Sequence, residues 1–133
     1  KDLTIATAIA EAIKAVDPAL YVLCLANSQM GVAARNAGLP YVEEAFADRA
    51  YTDEGSLVSR KIAGSVIHDL DQVVSRVVQM VRDKTVVSIH GNLVPIQAQT
   101  ICVHGDTPGA VSMVKAIRAA LEKEKISLRA FGC

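Results

Sequence analysis

The hydrophobic period of this chain changes repeatedly along its length, and that alternation restricts it to a few architectures. Apolar residues recur at helical spacing over 4–16, and then "LYVLCLA", 20–26, is short, unbroken and rich in β-formers. Helical spacing returns after Ser28 and stops at Gly38 with Pro40 just beyond, and "YVEEAF", 41–46, is again strand-like. Leu70, Val73, Val74, Val77, Val78 and Val81 then form one stripe of a helix opened by Asp69 or Asp71. A short apolar strand buried on both faces needs cover on both, and parallel neighbours need a crossover between them. The reading is an α/β fold, a mainly parallel sheet with flanking helices in one domain over 1–133.

Local chemistry sets the expected boundaries. Thr4 is the expected N-cap of the first helix, with Ile5, Ile9, Ala12, Ile13 and Val16 on one face and Asp17-Pro18 as the stop. "KIAGSVI", 61–67, is expected as a short strand, and "TVVSIHGNLVPIQA", 85–98, as a β-hairpin around His90-Gly91-Asn92. "TICVHGD", 100–106, is a strand running into a loop. The last helix, 107–124, takes Thr107 as N-cap and Pro108 in its first turn, and "ISLRAF", 126–131, is a terminal strand.

Charge excludes some function classes. The 133 residues carry 14 Lys plus Arg against 14 Asp plus Glu and no Trp, which argues against nucleic-acid partners. No apolar run approaches the ~20 residues of a membrane-spanning helix, so a membrane partner is not expected. Cys24 and Cys102 lie in apolar runs and Cys133 is terminal, with no CxxC spacing, which suits free thiols in a reducing cytoplasm. The chain opens on Lys1 and lacks an initiating Met, so it is expected to be a piece of a longer protein.

Ligands of parallel α/β folds bind at the carboxyl ends of strands, and two polar segments fall there. After the 100–104 strand come His104, Gly105 and Asp106. His104 can serve as acid, base or ligand, and Asp106 can orient an imidazole or hold a cation. Gly105 permits close backbone approach, and the following helix N-terminus favours anions. The same residues also fit a plain helix cap beside a core histidine. After the 41–46 strand comes "EEAFADRAYTDEGSLVSR", 43–60. Arg49 and Arg60 can clamp a carboxylate or phosphate, or pair with Glu44, Asp48 or Asp53 and hold the loop. Asp53-Glu54-Gly55 is expected as an exposed turn, and His68 and His90 as surface residues.

At these two segments the chain resembles a known family. "EAFADRAYTDEGSLVSR" and "QTICVHGDTPGAV" resemble the Glu-x-Phe-Ala-Asp-Arg-x-Tyr…Gly-x-Leu-Val-x-Arg and Cys-x-His-Gly-Asp segments of the LamB/YcsF family. That family includes the A-subunit of the bacterial ATP-dependent 5-oxoprolinase. Ser59 stands where Pro is expected. The resemblance implies a distorted β/α, TIM-like barrel with a β-hairpin insertion. It implies ATP-dependent opening of the 5-oxoproline lactam to glutamate, with ATP and Mg2+ and with partner subunits B and C. Carried across, it makes His104, Asp106, Glu44 and Asp48 the catalytic candidates. Arg49, Arg60, Tyr51 and Gly105 become the substrate- and phosphate-binding candidates. The metal remains unassigned. Family members carry about as much chain again ahead of this region, including an Asp- and His-rich strand and a Lys-Pro-His-Gly segment, so the chain is expected to be the C-terminal half of the barrel. A half-barrel leaves an open sheet edge, which invites dimerisation or a partner fragment. A metal-dependent deacetylase or amidase on a related barrel and an inactive structural or binding fragment are the competing expectations.

Overall fold

The computed structural model describes residues 2–106 and 108–132. Among them the elements run α1 (Leu3–Val16), β1 (Val22–Leu25), α2 (Gln29–Ala37), β2 (Tyr41–Phe46), α3 (Leu70–Arg82), β3 (Thr85–Val87), β4 (Leu93–Pro95), β5 (Thr100–Cys102) and α4 (Ala110–Lys123). β1, β2 and β5 form a parallel sheet with β2 in the centre, while β3 and β4 pair antiparallel as the expected hairpin. The α/β reading therefore holds. The described strands form an open sheet, and no closed barrel is seen.

Three apolar clusters join these elements. α1, β1 and α2 share one, built largely from alanines: Ala6 and Ala10 face Ala33, Ala34 and Ala37. The hairpin, Ala45, Tyr51 and Met80 form the second, and α3, α4, Ala47 and Ile67 the third. Val73 and Val77 of the α3 stripe are wholly buried, each stabilising the fold by roughly 1.5–3 kcal/mol relative to exposure. Asp69 caps this helix, accepting from the Gln72 amide at 2.7 Å.

Several expectations change. Asp2, not Thr4, caps α1, accepting from the Thr4 amide at 2.8 Å and the Ile5 amide at 3.3 Å. The buried face of α1 is the small one. Ala6 and Ala10 allow close approach to α2, while Ile5 (60 % exposed) and Val16 (81 %) point away from it. Residues 61–67 form turns, with a single bridge from Val66 to Arg49, because Gly64 adopts φ 79° and breaks any extended run. α4 starts at Ala110 with Gly109 as N-cap, three positions later than expected; Thr107 lies outside the described residues, as does Cys133. Residues 126–131 form no strand. Ile126 packs on the α3/α4 cluster, and the Phe131 ring lies 5.6 Å from that of Tyr21, so the segment is held by side chains.

Candidate active site

The register of the central strand pair builds the site. Phe46 of β2 sits opposite Cys102 of β5, and the ladder continues one step further through the Ala47 amide, which donates to the Cys102 carbonyl at 3.0 Å. Side chains alternate along a strand, so residues two positions further on share the side of Phe46 and Cys102. Those residues are Asp48 and His104. His104 Nδ1 lies 2.8 Å from Asp48 Oδ1 and 3.0 Å from Oδ2. A carboxylate accepts, so Nδ1 is the donor in this pair. The Phe46 ring stacks on the imidazole at 5.4 Å with 30° between planes, which fixes the ring from one side.

A cavity of about 160 Å³ opens here, lined by Asp48, Arg49, Arg60, His68, His104 and Asp106 together with Val66 and Pro108. Arg60 Nη2 lies 3.3 Å from His104 Nε2. A larger hollow of about 660 Å³ lies between the end of β1 and the 52–57 turn, with neither histidine nor arginine among its lining residues. Volume and chemistry point to different places, and the smaller cavity holds the dyad.

The loop before the cavity is fixed from beneath. Arg49 is buried, with Nη2 donating to the Val58 carbonyl at 2.6 Å and Nε to that of Ser65 at 3.3 Å. Its own carbonyl accepts from Arg76 Nη2 at 2.8 Å, and Arg76 Nη1 reaches the Val87 carbonyl at 3.2 Å. Burial pulls the Arg76 guanidinium below its ordinary value, and its Nε has no partner among the described residues. Tyr51, expected at the substrate, does not line the cavity. It is wholly buried, its hydroxyl accepts from the Phe46 amide at 2.9 Å, and burial raises its phenol.

Two other expected residues stand apart from the dyad. Glu44 is on the same sheet face but two same-face positions before Asp48, and it is outside the cavity lining. Burial raises the Cys102 thiol, with the Glu44 and Asp48 carboxylates adding to the effect. Gly105 is exposed and outside the left-handed region, and an added Cβ there meets no protein atom within 4 Å. Asp106 lines the cavity, while Asp48 is the carboxylate that orients the imidazole.

Two side chains gain weight from the structure. His68 is exposed, as expected of a surface residue, and it also lines the cavity. Ser65 and Ile67 are buried and Val66 and His68 alternate with them, a period that was readable in the sequence. Arg76 lies on the α3 stripe between Val73 and Val77, where a charge among valines marks a buried tether.

The model of the LamB/YcsF family matches residues 1–132. The chain belongs to the LamB/YcsF family. Among its LamB/YcsF relatives, the 5-oxoprolinase A-subunit of Acinetobacter baylyi is 52 % identical over 98 % of this chain and 51 % of its own. The 5-oxoprolinase A-subunit 1 of Agrobacterium fabrum is 50 % identical over 93 % of this chain and 49 % of its own. The crystal structure of the lactam utilization protein from Thermus thermophilus superposes with a TM-score of 0.87 at 39 % identity, covering 98 % of this chain and 52 % of that one. The chain thus spans about half the length of the curated LamB/YcsF relatives it matches.

Among the described residues no group of three or more His, Cys, Asp and Glu side chains is arranged to hold a metal ion, so no metal centre is assigned. No helix among them is long and apolar enough to cross a membrane.

Proposed function

We propose that this chain contributes the catalytic dyad of a 5-oxoprolinase A-subunit, which opens the 5-oxoproline lactam to glutamate in an ATP-dependent reaction. The observation that carries this reading is the Asp48–His104 pair at the carboxyl ends of adjacent parallel strands, with Arg60 at the free imidazole nitrogen. The names of the relatives supply the substrate class.

A lactam is a resonance-stabilised amide, so hydrolysis needs a stronger electrophile and a directed water. ATP, as its Mg2+ complex, would supply the first by transferring its γ-phosphoryl group to the lactam oxygen and leaving as ADP. Attack of one water on the activated carbon would break the ring C–N bond, and hydrolysis of the resulting acyl phosphate by a second would release phosphate and glutamate. His104 Nε2 takes a proton from the attacking water, and Asp48 holds the tautomer that makes this possible. Arg60 receives the substrate carboxylate or a phosphate, and Asp106 lies at the same cavity to position water or phosphate. Arg49 and Tyr51 act from beneath by holding the loop.

In this reading the chain is a single domain forming the C-terminal half of a TIM-like barrel, and the rest of that barrel completes the site. Subunits B and C are its partners and the cytoplasm its compartment. The test is glutamate release from 5-oxoproline and ATP by the intact native protein with subunits B and C. H104Q is expected to lower kcat by roughly 10²–10⁴ while leaving the melting temperature near wild type. Unaltered turnover in H104Q sinks the assignment.

A further inference from the structure

We infer that Arg60 covers the base of the dyad in the anion-free state and that an incoming anionic group draws it off, so that binding itself exposes His104 Nε2. The inference rests on the dyad reading above and adds to it a coupling between binding and base exposure.

The contact defines the imidazole's state. A guanidinium stays protonated and has donors only, so a hydrogen bond from Arg60 Nη2 to Nε2 at 3.3 Å requires Nε2 to accept. Nδ1 already donates to Asp48. Each ring nitrogen is therefore engaged, and while Arg60 stays in place the Nε2 lone pair has no room for a water proton.

Arg60 is poorly anchored where it stands. It is exposed, and among the described residues no carboxylate lies within ion-pair distance of it. Its side-chain contact is with a neutral ring nitrogen. A carboxylate or phosphate entering the cavity offers a charge-assisted, two-pronged acceptor, the geometry guanidinium binds best. Arg49 also lines the cavity but is less free to move toward that anion, because its Nη2 and Nε are directed at the Val58 and Ser65 carbonyls. Arg60 is thus a positioning residue whose departure is tied to occupancy. An empty site keeps its base covered.

The test reads His104 directly, without turnover. Diethyl pyrocarbonate acylates unprotonated imidazole nitrogen, and peptide mass spectrometry of the intact native protein resolves His104 from His68 and His90. R60Q is expected to label His104 at least about fivefold faster than wild type at pH 7. His90, paired with Asp53 away from this cavity, should label equally in both proteins and so reports that the fold is intact. R60K, which keeps the charge without the fork, should fall between the two. In wild type, inorganic phosphate and 5-oxoproline are added separately. A rise in His104 labelling with one of them supports the inference and identifies phosphate or carboxylate as the anion. Wild-type labelling of His104 in R60Q, or no rise with either anion, overturns it. A missing lactam hydrolase activity would leave these rates untouched, so the two readings fail separately.

Discussion

Residues 47–60, just after β2, carry two aspartates, and each meets a histidine. Asp48 pairs with His104 and Asp53 with His90, with shortest separations of 2.8 and 3.1 Å. Burial separates them. The Asp48 side chain is 1 % exposed and His104 20 %, against 38 % for Asp53 and 69 % for His90. Asp48 and His104 are extensions of two paired strands, held by a ladder, a stacked Phe46 ring and a loop pinned through Arg49. Asp53 and His90 are the tips of a turn and a hairpin, and Ser88 shares Asp53 with the imidazole. The same two side chains make a fixed dyad in one place and a solvent-screened latch in the other. Spatial proximity of Asp and His is therefore not the signal; the rigidity and dryness of what holds them is.

That comparison breaks most sharply at Asp48. D48N keeps the volume but lets the amide donate to Nδ1, which moves the imidazole proton to Nε2. Lactam-dependent glutamate release is expected to fall by about 10²–10⁴, while D53N keeps near wild-type turnover. Equal losses in the two variants would erase the distinction.

The next effect is on stability. R49M removes a buried guanidinium and leaves the Val58 carbonyl without its donor, so chemical denaturation should show a loss of roughly 2 kcal/mol. The exposed Arg60 anchors nothing, and R60M should leave the denaturation midpoint unchanged within error. A loss in R60M as large as in R49M would mean that the two arginines share one structural role.

The smallest effect belongs to the outer latch. Hydrogen bonding from Ser88 first, then from Asn92 and His90, holds the Asp53 carboxyl below its ordinary value. A depressed folded value means that the stabilisation is present above the ordinary carboxylate value of 3.8 and is lost as pH falls through the lower folded one. The backbone amides of His90 and Asn92, which bond Ser88 Oγ, should shift in NMR spectra only below about pH 4. D53N should give the low-pH pattern at pH 7 with little change in melting temperature. A latch that loosens near neutral pH would point to His90 as the controlling group instead.

Much of this was legible in the sequence. Tyr41–Phe46 is the expected strand, the α3 stripe buries Val73 and Val77 with Val74, Val78 and Val81 packed at the edge, and the hairpin turns around His90-Gly91-Asn92. Each is a local property, because period and turn residues report which side of an element is apolar and where it stops. The position of the charged loop at the carboxyl end of a parallel strand was legible for the same reason. α1 shows the limit of that logic. Its large aliphatics mark an apolar stripe, but the alanines decided which face meets α2, because closeness of approach depends on the partner's side chains as well.

By itself, then, the sequence determined the four helices, the parallel sheet and the hairpin, though not the absence of strands at 61–67 and 126–131, and it singled out the two segments that line the candidate site. The tertiary structure chose the partners. Asp106, two residues from His104, was the nearer carboxylate in sequence, but Asp48, 56 positions away, orients the ring. That choice rests on the β2/β5 register, which sets Phe46 against Cys102 and so brings the next residues on that face together. A shift of one residue would turn one of the two side chains to the opposite face of the sheet. Register is set by packing over the whole sheet, and no local window of sequence contains it.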